Sequence, residues 1–104
     1  MNSRTITGLL ACAAVAAVPA MALATSGEDL FKLHCAACHA DGGNIINPKM
    51  TLKKADREAN GVKTAKDVIG KMRQPGPGMT TFDAKTIPDK DAKAIADYIL
   101  KTFK

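Results

Sequence analysis

The chain has 104 residues, 46% of them hydrophobic and 24% charged, with a formal net charge of +5. That length holds one small domain, which excludes a multi-domain enzyme. The single long apolar run excludes a multi-span membrane protein, and aliphatic periodicity after Glu28 excludes a disordered chain.

The apolar content is uneven along the chain. Residues 1–24 hold 17 apolar side chains, one charge at Arg4 and no acid. Residues 25–104 hold 31 apolar side chains in 80, and ten of those are Ala. With no Trp and one Tyr, this second part has a thin core. Chains of this size need a metal, a disulfide, a cofactor or a partner to complete one.

The predicted elements run as follows. Met1–Thr5 carries Arg4, Ile6–Val18 is apolar apart from Thr7 and Gly8, and Ala22-Leu23-Ala24 places small residues at an A-x-A cleavage site. This order predicts a secretory signal peptide over 1–24, cleaved after Ala24, and a single periplasmic domain over 25–104. Two other readings stay open. The run 6–24 nears the length of a membrane span and can be kept as an anchor. Leu9-Leu10-Ala11-Cys12 also faintly resembles a lipoprotein processing site, although its apolar stretch is short for one. All three place the domain outside the cytoplasm.

Thr25-Ser26-Gly27-Glu28 has the spacing of a capping box. A helix should follow, with Leu30, Phe31 and Leu33 inward, running into His34-Cys35-Ala36-Ala37-Cys38-His39. Asp41-Gly42-Gly43-Asn44 is a turn cluster, and Ile45–Met50 an irregular loop. Thr51 should cap a short helix over Leu52–Ala59, stopped by Asn60-Gly61. Thr64 should cap Ala65–Arg73, whose Ala65, Val68, Ile69 and Met72 form one apolar stripe. Gln74-Pro75-Gly76-Pro77-Gly78 breaks that helix. The last helix is expected from Pro88-Asp89 to Phe103, burying Ile95, Tyr98, Ile99 and Phe103. The expected fold is all-α, about four helices with two long loops. Loops of that length in so small a domain need something to pack against.

The cysteines supply a candidate. Of three, Cys12 lies in the predicted signal, leaving Cys35 and Cys38 in a C-x-x-C-H motif, the attachment motif of c-type haem. Two thiols on a short helical turn can add across two vinyl groups of one porphyrin edge, and the adjacent His39 can then bind the iron. A structural zinc site needs four ligands, and only His34, Cys35, Cys38 and His39 are at hand, crowded into six residues. A thioredoxin-like dithiol needs a preceding strand, which the sequence lacks. A plain disulfide leaves the core thin. His34 reads as a surface residue. For the other face of the iron the candidates are Met50, Met72 and Met79. Met72 lies on the apolar stripe and reads as core. Met79 follows Gly76-Pro77-Gly78, a constrained loop that can hold a thioether, and is the expected sixth ligand, with Met50 as the alternative.

These residues together resemble the small class I c-type cytochromes, most closely the cytochrome c6 group, over nearly all of residues 26–103. The resemblance rests on Phe31, on Cys35 to Ala40, on Gly42-Gly43-Asn44, on Pro48 and on Thr51-Leu52-Lys53-Lys54. Ala59-Asn60-Gly61, Met79-Thr80-Thr81-Phe82 and Ala96-Asp97-Tyr98-Ile99-Leu100 complete it. It implies crossed first and last helices, with Gly27 and Phe31 meeting Tyr98. It also implies that the Pro48 carbonyl accepts a hydrogen bond from His39 Nδ1. Thr80-Thr81 departs from the family's Met-Pro-Ala-Phe, which removes a rigidifying proline. Lys71 stands near where many members carry a Gln beside the haem, so the photosynthetic partners of the family do not follow.

Residues 49–73 carry eight bases and three acids. This is either a solvated helical surface or a docking face of Lys49, Lys53, Lys54, Lys63, Lys66, Lys71 and Arg73 for an acidic redox protein, reached near the haem edge. Nucleic acid is not an expected partner of an exported chain. The functional expectation is a monomeric periplasmic electron carrier, not an enzyme, with one haem c held by Cys35 and Cys38 and ligated by His39 and Met79. Two alternatives differ in kind. One is a subunit or anchored domain of a larger respiratory complex. The other is a haem-based small-ligand sensor or peroxidase-like protein, should Met79 dissociate.

Overall fold

A computed structural model describes residues 25–104. The signal-peptide reading of 1–24, and the anchor and lipoprotein readings with it, lie outside the described residues. Five α-helices follow one another: α1 Gly27–His34, α2 Ala36–His39, α3 Lys54–Ala59, α4 Ala65–Arg73 and α5 Asp89–Thr102. A 3₁₀ turn over Ala40–Gly42 continues α2. Among the described residues there is no strand, and no helix is long and apolar enough to cross a membrane.

Two of the five helices, α1 and α4, begin at a side chain that caps their first N–H groups; α2, α3 and α5 do not. Ser26, rather than Thr25, caps α1 by accepting from Asp29 N. Thr64 caps α4 in a full capping box: its hydroxyl accepts from Asp67 N while the Asp67 carboxylate accepts from Thr64 N. Thr51 does not cap α3. Its hydroxyl accepts from Lys53 N and donates to the Asp56 carboxylate, so the helix starts two residues later than expected, behind Lys53. Pro88 precedes α5 without a side-chain cap.

The core sits where α5 packs against α1 and α4. Ile95, Ala92 and Ala96 of α5 are fully buried, with Ile99, Leu30, Phe31, Val68, Met72 and Ile87 around them. The α1–α5 crossing is close because α1 presents Gly27 there. A Cβ on Gly27 would strike the Ala94 carbonyl and come within 3.1 Å of Tyr98 Cβ. Phe31 then clusters with Tyr98 and Phe103, with ring centroids 5.4 Å from each. The approach of Gly27 and Phe31 to Tyr98 is the one the family resemblance implies.

The inward face of α1 differs from the expectation. Leu33 is 74% exposed and His34 is half-buried. At about 100° per residue, His34 falls between Leu30 and Phe31, whereas Leu33 lies about 110° from that centre. His34 is therefore not a surface residue; its ring meets Phe82 edge-on, 6.0 Å between centroids.

Candidate functional site

Cys35 breaks the helix with φ −119° and ψ −33°, so the C-x-x-C-H motif occupies its own short helix, α2. His39 N donates to the Cys35 carbonyl at 2.9 Å and Ile45 N to the Cys38 carbonyl at 3.0 Å. The chain then reverses through Asp41 (φ 55°) and Gly42 (φ 77°). Gly42 is required twice over: a Cβ would meet the Phe103 ring at 2.5 Å, and the positive φ disfavours any side chain.

Cys35, Cys38 and His39 open onto one cleft, together with Met79, Met72 and Met50, and with Phe31, Leu52, Val68, Phe82 and Ile99 as apolar walls. The void measures about 1360 Å³ out to its open mouth. A second, shallower groove between Asn60–Val62 and α4 holds no thiol or imidazole. Burial pushes the Cys35 thiol up to about 11, so at neutral pH it is a protonated thiol. Cys35 and Cys38 form no disulfide with each other. Among the described residues no three His, Cys, Asp or Glu side chains converge as a metal cage, which leaves the zinc reading without a ligand set.

His39 Nδ1 lies 2.7 Å from the Gly43 carbonyl oxygen. A carbonyl only accepts, so Nδ1 is the donor, and Nε2 is the nitrogen turned away from that bond, the one that could bind a metal. The Pro48 carbonyl is not the partner; Pro48 is exposed and lies outside the cleft lining. The reason is local. Gly43 is extended (φ −80°, ψ −165°) directly after the 3₁₀ turn, which brings its carbonyl beneath the imidazole before the chain reaches Pro48. Asn44 then organises the loop: Oδ1 accepts from Ile46 N and Asn47 N, and Nδ2 donates to the Met50 carbonyl.

The three methionines differ in setting. Met72 is 3% exposed within the core, whereas Met50 is 44% exposed on the loop after His39. Met79 is half-buried between α4 and α5. The two loops meet at the mouth, where a Cβ on Gly78 (φ 88°) would lie 2.7 Å from Ile46 Cγ2.

Two arginines of the basic segment 49–73 stand out, Arg57 and, from the expected docking face, Arg73. Arg57 is 6% exposed, the one buried charge among the described residues. Its Nε donates to the Leu52 carbonyl at 2.6 Å and Nη2 to the Phe103 carbonyl at 2.9 Å. It lines the cleft and pairs with no carboxylate of the described residues. Arg73 is likewise turned inward, donating to the Phe82 carbonyl. The basic segment thus exposes six lysines and withdraws both arginines.

An apolar cleft with two thiols, an imidazole whose Nε2 is free, thioethers and an uncompensated cation suits an apolar disc that brings a metal and carboxylates. Comparison with known proteins agrees. A family model described as cytochrome c oxidase, cbb3-type, subunit III matches residues 22–99. Cytochrome c6 of Bumilleriopsis filiformis is 37% identical over 75 residues, covering 72% of this chain and 86% of that protein. Cytochrome c6 of Cyanidium caldarium is 36% identical, covering 71% of this chain and 66% of that one. The structure of OmcF, outer membrane cytochrome F from Geobacter sulfurreducens, superposes with a TM-score of 0.75 at 47% identity, covering 76% of this chain and 100% of its own. The all-helical architecture is therefore the class I cytochrome c fold, and the chain belongs to the small class I c-type cytochromes close to cytochrome c6, a family of haem-bearing electron carriers rather than enzymes.

Proposed function

We propose that this chain is a periplasmic one-electron carrier holding one haem c, attached through Cys35 and Cys38, with His39 and Met79 as axial ligands. The observation that carries this reading is the convergence of those four side chains on one apolar cleft. The haem supplies the chemistry, an iron that alternates between two oxidation states without binding substrate. The chain supplies everything that tunes it. Cys35 and Cys38 fix the cofactor by covalent bonds. The Gly43 carbonyl holds the His39 ring and raises its basicity through Nδ1–H. A neutral thioether from Met79 raises the reduction potential relative to a second imidazole. Arg57, a buried cation without a carboxylate of its own, would face a haem carboxylate. Such a pairing offsets a desolvation cost that an isolated buried charge could not meet.

The partner side follows from charge. The six exposed lysines of residues 49–71 form a field that would speed encounter with an acidic redox protein, and that salt would screen. Association rates that fall as ionic strength rises support this, and rates insensitive to salt overturn it. A second reading, a subunit of a respiratory complex, is favoured by the description of the matching family model; purification with a stable partner from membranes would establish it. The ligation is tested by a redox titration of the purified protein with visible spectra. Met79→Ala should abolish the sulfur-to-iron charge-transfer band of the oxidised form. If the band persists, Met79 is not the ligand.

A further inference from the structure

A thioether stays on an iron only as long as its loop holds it there, because ordering a flexible loop costs conformational entropy at every opening and closing. The loop from Gln74 to Phe82 has little internal bracing. Its one internal backbone bond, Met79 N to the Gly76 carbonyl, is long at 3.4 Å. Thr80 and Thr81 are exposed, and no proline follows Met79.

The bracing lies at the base of the loop. Phe82 N donates to the Met72 carbonyl at 2.8 Å, and Arg73 Nη1 donates to the Phe82 carbonyl at 3.0 Å. Both backbone groups of Phe82 are thus held by consecutive residues at the end of α4. The other branch of the same guanidinium reaches Asp89 Oδ1 at 2.8 Å, at the first residue of α5. One side chain therefore ties α4, the Met79 loop and α5 together. The two branches are unequal. The Asp89 side chain is 90% exposed against 22% for Arg73, so the ion pair is a screened surface contact of small net value. The bond to the Phe82 carbonyl is part-buried and charge-assisted, the stronger class.

We propose that Arg73 is the positioning residue of the sixth ligand: by holding the Phe82 carbonyl it keeps Met79 at the iron and sets how rarely the site opens to an outside ligand. This rests on Met79 being that ligand. It supplies a tie in a chain that lacks the proline, and it removes Arg73 from the docking surface. Its planar fork suits two acceptors at once, which a lysine ammonium does not reproduce.

The test uses the haem-loaded protein and carbon monoxide, an uncharged probe whose approach is not steered by the charge being removed. Arg73→Met should speed carbon monoxide binding to the reduced form about tenfold to a hundredfold, the equivalent of losing one charge-assisted bond. It should also weaken the sulfur-to-iron band. Asp89→Asn, which removes only the exposed pair, should stay at the wild-type rate. So should Thr64→Ala, which weakens the same helix at its other end. Should Arg73→Met not fold, Arg73→Gln carries the same expectation, because its shorter neutral amide loses the Phe82 bond. A wild-type rate and an intact band in the folded Arg73 variant overturn the proposal, and so does equal acceleration by Thr64→Ala. Met79→Ala separates the two levels. A band that survives Met79→Ala overturns the ligand assignment, whereas a lost band with a wild-type rate in the Arg73 variant overturns the brace alone.

Discussion

The α1–α5 crossing and the loop wall around the cleft are held by different physics. At the crossing, Ile95, Ala92 and Ala96 are fully buried, and Gly27 allows backbone to approach backbone. At the wall, Ile45 is 67% exposed, Ile46 59% and Met50 44%. The loops there take their shape from polar ties at Asn44, Arg57 and Arg73. The crossing is specified by what the chain buries against itself. The wall is specified by hydrogen bonds at its edges and by what it encloses, so its apolar residues contribute little burial of their own.

The largest expected effect tests that difference directly. A Cys35→Ser, Cys38→Ser double variant without haem should show no cooperative thermal transition by circular dichroism, because ten buried residues, three of them fully buried alanine or isoleucine of α5, are too few to hold 80 residues alone. A cooperative transition would show that the crossing suffices and that the wall is an accessory.

Two single substitutions sharpen the contrast. Ile95→Ala removes a fully buried side chain and should cost about 2–5 kcal/mol in denaturant unfolding. It should leave the reduction potential where it is, since Ile95 does not line the cleft. Arg57→Met should move the potential, besides the stability it loses with its bonds to the Leu52 and Phe103 carbonyls. Removing a cation from the cleft favours the more positive oxidised haem, so the potential should fall, by about 59 mV for each tenfold change in the equilibrium. An unchanged potential in spectroelectrochemical titration would remove Arg57 from the cofactor's surroundings.

The crossing was also the more legible part. Periodicity marks Ile95 and Ile99 as buried, and capping spacing marks Thr64 as the start of α4. Where the structure departs from expectation, local geometry or tertiary neighbours override the simpler signal. Hydrophobicity points Leu33 inward, yet angular position on α1 gives that place to His34. The family resemblance pairs Pro48 with His39, yet the extended Gly43 reaches the ring first. Arg57 and Arg73 lay in a stretch rich in surface lysine, and no local period separates a withdrawn cation from a solvated one. One signal was present: after Thr25 the chain has only these two arginines, and a guanidinium suits multiple internal carbonyl acceptors better than an ammonium does.

The smallest effect belongs to the start of α4, which the wall and the core share. Thr64→Ala should cost about 1 kcal/mol, the usual value of a lost N-cap. The reciprocal half of that box is pH-dependent. The N–H groups of Lys63 and Thr64 and the Thr64 hydroxyl hold the Asp67 carboxyl below its usual 3.8. A carboxyl lowered on folding stabilises the native state above its unfolded value, and that contribution is lost as pH falls through the lower folded value. Thermal midpoints of the wild type should therefore drop on the acid side of 3.8, and Asp67→Asn should flatten part of that drop. Because α4 carries Met72 and Arg73 at its far end, the comparison has a further readout. If the sulfur-to-iron band keeps its intensity in Thr64→Ala while the midpoint falls, the brace at the C-terminal end of the helix acts locally. If band and midpoint fall together, the wall is no firmer than the helix that carries it, and the two regions are one cooperative unit.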